Sequence, residues 1–126
     1  MHDITQFADL TNNHQWIHAD PDRCVKESPY GGLIAHGLLL VSLLPGLLPK
    51  EEFTIVGHKV RIVRAIDNLR LPSPVYPNDI VHTHVRRLKA YAATSGKGTV
   101  IEREVELWSR YGIKPAVACT LKLQYM

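Results

Sequence analysis

At 126 residues the chain fits one domain, residues 1–126, and is long enough to bury a core of its own. Its apolar share of 45% against 21% charged residues excludes a disordered chain. A net charge of +3, spread along the sequence, lacks the basic stripe and stacking aromatics of a nucleic-acid binder.

The N-terminus, MHDITQFADL, has neither the basic flank nor the apolar core of a signal peptide. Ile4, Phe7, Ala8 and Thr11 recur at helical spacing, which predicts a short helix from about Asp3 to the paired asparagines Asn12 and Asn13. Asp20 followed by Pro21 reads as an N-cap and first helical residue, opening a second short helix that runs to about Glu27. SPYGG, residues 28–32, breaks the chain. AHGLLLVSLLPGLLP, residues 35–49, then places leucine on every face, as expected of a helix enclosed all round, with Leu39, Leu43 and Leu47 buried one turn apart. Pro45 should kink this helix or end its first half. At twelve residues its apolar core, Gly37 to Leu48, is too short for a membrane span of ~20 residues.

From Phe53 the period changes to two. FTIVGHKVRIVRAIDNLRL, DIVHTHVRRL, GTVIEREVELW and PAVACTLKLQY read as four strands, separated by the turn signals LPSPVYPND and TSGKG. Ile101, Arg103, Val105 and Leu107 alternate with Val100, Glu102, Glu104 and Glu106, and Val117, Cys119, Leu121 and Leu123 form a second apolar face. The element order predicts an α+β domain in which an antiparallel sheet wraps a central apolar helix, the hot-dog fold. Arg61, Arg64, Arg86, Arg87 and Lys89 read as a solvated strand face, with mild attraction for a phosphate-bearing carrier as the alternative. His82 and His84 share a half-exposed sheet surface.

Two cysteines, Cys24 and Cys119, make neither a disulfide framework nor a CxxC site, and point to a reducing compartment, the cytoplasm. His14 and His18 stand four apart, a spacing that can bind zinc on a helix. HQWIH, however, lacks a zincin glutamate and no third ligand is evident, so no metal is expected.

The chemistry concentrates in FADLTNNHQWIHADPDR, followed after the break by PYGGLIAHGLLLVSLLPGLL. Together these segments resemble the MaoC-like hydratase family, which includes (R)-specific enoyl-CoA hydratases, in its branch related to nodulation protein N. That branch's pattern runs roughly F-A-x-x-T-G-D-H-Q-W-I-H-x-D-P, then G-G-x-I-A-H-G-x-L-x-x-S-L-L-P. DNLRLPSPV, residues 67–75, and KPAVA, residues 114–118, resemble its later strands, so the likeness covers nearly the whole chain.

The resemblance implies a hot-dog fold, an acyl thioester of CoA or of a carrier protein as partner, a homodimer, no cofactor, and a role in fatty acid metabolism. It implies that His18 is the acid–base group and that Gly37 offers its backbone N–H to the thioester carbonyl; His36 of the AHG motif either lines the site or plays a structural role near the helix start. Histidine suits hydration of a 2-enoyl thioester, because it both takes and delivers a proton near neutral pH. A fixed N–H at a helix start suits the developing enolate.

The chain departs from the pattern at Asn12–Asn13, where the family has Gly-Asp. Asn13 can orient a water or a substrate but cannot act as a base. A further expectation is that the chain lacks the N-terminal segment and first strand common among relatives. Asp9, Asp20 and Asp67 are the candidates for a substitute carboxylate. The reading is thus a hydro-lyase acting on an enoyl or 3-hydroxyacyl thioester, with His18 and Asn13 catalytic and Gly37 and His36 binding substrate. Its alternatives are a non-hydrating thioester-binding homologue, an inactive subunit of a heteromer, or another lyase or isomerase on the same scaffold.

Overall fold

A computed structural model describes residues 1–49 and 57–126. Helix α1, His2–Thr11, buries Ile4 and Ala8, the stripe its spacing predicts, and ends on Asn12 in the left-handed region at φ 56°. Asparagine is one of the few residues besides glycine that adopts that conformation at a helix end. Trp16–Ala19 forms a single turn, α2, which periodicity did not predict because four residues are too few to show a period. Helix α3, Pro21–Glu27, begins as expected, with the Asp20 carboxylate accepting the Arg23 N–H at 3.1 Å.

The apolar run after the break is shorter as a helix than predicted. Helix α4 spans Gly37–Leu43, and Pro45 opens a 3-10 turn, Pro45–Leu47. The strands are β1 Arg61–Arg70, β2 Val81–Ala92, β3 Thr99–Ser109 and β4 Val117–Tyr125. The part of the first predicted strand from Phe53 to Val56 lies outside the described residues. Among the described residues the three pairings are antiparallel, in the order β1-β4-β3-β2, with β1 and β2 outermost.

The alternation read in β3 is real. Ile101, Arg103, Val105 and Leu107 are buried, in register with buried Leu123, Leu121, Cys119 and Val117 of β4. Leu40, Val41 and Leu44 pack into this face, forming one core with Ile4, Cys24, Leu33 and Val75. A sheet curved over one apolar helix is the hot-dog arrangement, as the order of elements predicted. Arg103 is the charged member of the core, donating to the Tyr125 hydroxyl at 2.7 Å.

The expectation that α4 is enclosed all round needs correction. Leu38 is 66% exposed, Leu43 37% and Leu47 38%, and Leu39 is only partly buried. The sheet curves over one side of the helix, and Leu40, Val41 and Leu44 are the residues that face it.

The opposite face of the sheet is charged and internally compensated. Arg86 pairs with Glu106 at 2.6 Å, Arg87 with Glu104 at 3.9 Å, and Lys122 with both Asp67 and Glu102. Of the predicted solvated strand face, Arg86 and Arg87 lie here, whereas Arg61 donates to the Pro45 carbonyl at 3.2 Å and Arg64 to the Gln124 amide oxygen. His82 and His84 lie exposed on the charged face, their rings 5.0 Å apart.

Candidate active site

Three short segments converge at one end of α4. The α2 turn carries His18, the extended residues 33–36 lead into α4, and the crossover from β1 to β2 runs alongside. Backbone bonds fix their spacing: the Ile34 N–H donates to the Ile17 carbonyl at 3.2 Å, and the Ala35 N–H to the Val75 carbonyl at 2.8 Å. Cys24 on α3 is buried against the carbonyls of Trp16 and Ile17, which holds the α2 turn from behind.

On this frame the His18 Nδ1–H donates to the Ile34 carbonyl at 2.8 Å. A carbonyl only accepts, so Nδ1 carries a proton, and in the neutral ring Nε2 is then the lone-pair nitrogen available to a ligand. His18 borders a pocket of about 220 Å³ lined also by Tyr30, Ile34, Gly37, Leu40 and Leu71. Gly37 opens α4, where first-turn N–H groups have no acceptor within the helix. A Cβ at Gly37 would lie 2.7 Å from Leu71 Cδ1, the tip of a half-exposed side chain that would have to swing aside. His18 and Gly37, singled out separately in the sequence, therefore share one largely apolar pocket.

His36 and Asn13 are placed differently. His36 is 2% exposed and lies behind His18, outside the pocket lining. The two rings stack at 4.1 Å with planes 25° apart, and His36 Nε2–H donates to the Asn13 carbonyl at 3.0 Å. Burial pushes the His36 imidazole below the usual histidine range. His18 and His14 push the same way, while the bond to Asn13 opposes them. The Asn13 side chain is exposed, and its Oδ1 accepts the Gln15 N–H at 3.5 Å. Asn13 thus meets the histidine pair through its backbone carbonyl.

The candidate substitute carboxylates are engaged elsewhere. Asp9 pairs with His14 at 2.8 Å, Asp20 caps α3, and Asp67 pairs with Lys122 at 2.9 Å on the charged sheet face. Among the described residues no group of three or more His, Cys, Asp or Glu side chains is arranged to hold a metal ion. No helix among them is long and apolar enough to cross a membrane. Sequence reasoning missed the Ile34 carbonyl, Tyr30 and Leu71. Leu71 lies inside the quoted strand motif, and this was its only signal.

The chain matches the family described as MaoC like domain over residues 1–107. It is 41% identical over 73 residues to 3-hydroxyacyl-thioester dehydratase Z of Mycobacterium tuberculosis (strain ATCC 25618 / H37Rv), covering 58% of this chain and 47% of that protein. It is 42% identical over 83 residues to nodulation protein N of Rhizobium meliloti (strain 1021), covering 63% and 49%. The chain spans about half the length of these curated relatives. A MaoC-like dehydratase from Rhodospirillum rubrum superposes with a TM-score of 0.70 at 21% identity, over 98% of this chain and 82% of that one, a likeness of fold.

Proposed function

Because the chain belongs to the MaoC-like dehydratase family, we propose that it is a hydro-lyase interconverting a 2-enoyl thioester and a 3-hydroxyacyl thioester of CoA or of a carrier protein. The observation that carries this reading is His18, whose Nδ1–H is committed to the Ile34 carbonyl while Nε2 is left for a pocket shared with Gly37.

In the hydration direction His18 Nε2 takes a proton from water as the water oxygen bonds to C3. The C2–C3 π electrons move toward the thioester carbonyl, and the Gly37 N–H stabilises the developing enolate oxygen. The imidazolium then delivers its proton to C2, so water is added with nothing left over. Asn13, whose amide oxygen accepts the Gln15 N–H, supports the site through its backbone carbonyl on His36. The apolar wall of Leu40 and Leu71 suits an acyl chain.

We place the chain in a homodimer and in the reducing cytoplasm, acting in fatty acid metabolism. Exposed Leu38 on α4, Val63 on β1 and Leu88 on β2 support a partner copy. A second reading, a thioester-binding homologue without hydration, is favoured by one observation. The family's aspartate position holds an amide whose oxygen faces the Gln15 N–H.

The test is a panel of enoyl-thioesters assayed for hydration beside His18→Ala. Under the hydro-lyase reading the substitution lowers the rate by ~10²-fold or more while binding persists. Turnover that survives the substitution removes His18 from the mechanism. Binding without turnover by the unmodified chain selects the second reading.

A further inference from the structure

The AHG histidine lies too deep to touch substrate, yet it is a histidine in an apolar place. His36 Nε2–H is fixed on the Asn13 carbonyl, which makes Nδ1 the lone-pair nitrogen, and Nδ1 is buried without a hydrogen-bond partner. A leucine would fill the space without stranding a polar atom, so the ring's value lies in what it holds. Its face stacks on His18, its edge grips Asn13, the Phe7 ring packs 4.9 Å away, and its own backbone is the N-cap of α4.

We infer that His36 is a positioning residue, a bracket that holds the Asn13 loop, the His18 ring and the Gly37 end of α4 in one arrangement. The inference rests on the reading of His18 as the acid–base group. His36 acts through His18 and Asn13 and does not itself meet the thioester.

Charge is part of the device. The titratable groups facing His36 are His18 from α2 and His14 from the loop after α1, the latter paired with Asp9; Phe7 and the Asn13 carbonyl carry no charge. Two imidazolium rings stacked at 4.1 Å would repel each other. Burial lowers the proton affinity of His36, which disfavours a second charge beside His18.

The experiment is NMR on protein labelled with ¹⁵N at histidine, joined to steady-state kinetics on a short 2-enoyl-CoA. Near neutral pH the His36 ring should show the neutral Nε2–H pattern, and the His18 Nδ1–H should be protected from exchange with water. His36→Leu keeps the packing and removes the donor. It should cut that protection tenfold or more and lower kcat by ~10-fold or more, with KM within about threefold. His36→Gln, whose amide reaches the Asn13 carbonyl, should restore both.

A charged or Nδ1–H His36 in the unmodified protein overturns the inference, as does unchanged His18 protection in His36→Leu. A change in KM alone does so too, by placing His36 on the substrate. If His36→Leu does not fold, His36→Gln decides: a His18 N–H exchanging as fast as free imidazole overturns the bracket. If no thioester is turned over, the exchange measurements still decide the role of His36, and the hydro-lyase reading fails separately.

Discussion

Asn13 is where chemistry and backbone separate. Its neighbour Asn12 ends α1 in the left-handed region, where the family pattern has glycine. Asn13 keeps the family aspartate's size but cannot accept a proton at neutral pH. Asn13→Asp should therefore fit without a packing penalty, since the side chain is exposed and its backbone bonds to Ala8 and His36 are untouched. The carboxylate adds a group that takes a proton from water and favours the imidazolium form of His18. Hydration of a short 2-enoyl-CoA, followed by loss of the enoyl-thioester absorbance, should rise ~10-fold or more. A folded variant that binds the thioester by calorimetry with no gain in rate counts against a diverged hydratase. His18 and Gly37 were legible in the sequence because a motif names residue types. The Ile34 carbonyl that sets the His18 tautomer was not, because every residue has a carbonyl and only the fold chooses which one is used.

Helix α4 shows the same limit at the scale of an element. In GLLLVSLL a single polar residue, the exposed Ser42, marks the outer side, too little for periodicity alone to choose between the stripe of Leu39, Leu43 and Leu47 and the stripe of Leu40, Val41 and Leu44. Contact with the sheet chooses the second. β3 was legible to the residue because glutamates mark its outer face at every second position. The two leucine classes should separate in chemical denaturation. Leu40→Ala and Leu44→Ala remove side chains that are 5% and 0% exposed and should each cost ~2–5 kcal/mol. Leu38→Ala should change the stability of the isolated protomer by no more than ~0.5 kcal/mol. The same substitution should weaken a dimer that buries Leu38, read as a shift toward monomer in light scattering at micromolar concentration. Equal losses at all three positions would mean that α4 is enclosed after all.

For the whole molecule, groups with shifted proton affinity bound the pH range of stability, and their signs can be worked through. His36 has its affinity lowered by folding, chiefly by burial. Below the ordinary value of 6.5 the unfolded chain binds a proton that the folded chain resists, so stability falls as pH drops through that value. One proton sets a slope of at most ~1.4 kcal/mol per pH unit. At the other end, burial raises the thiols of Cys24 and Cys119, while the bond to Asp67 raises Lys122. The folded chain then holds protons that the unfolded chain releases above 9.0 for the thiols and 10.5 for the amine, so stability falls as pH rises through those values. Denaturation midpoints measured across pH should therefore form a plateau with an acid and an alkaline shoulder. His36→Gln should flatten the acid shoulder and leave the alkaline one in place, because its amide keeps the bond to Asn13 without titrating. An acid shoulder unchanged in that variant would mean that His36 charges as readily in the folded chain as in the unfolded one. The stacked pair would then hold two charges in the acid range, and the His18 ring could not be the only one that changes protonation as the pocket works.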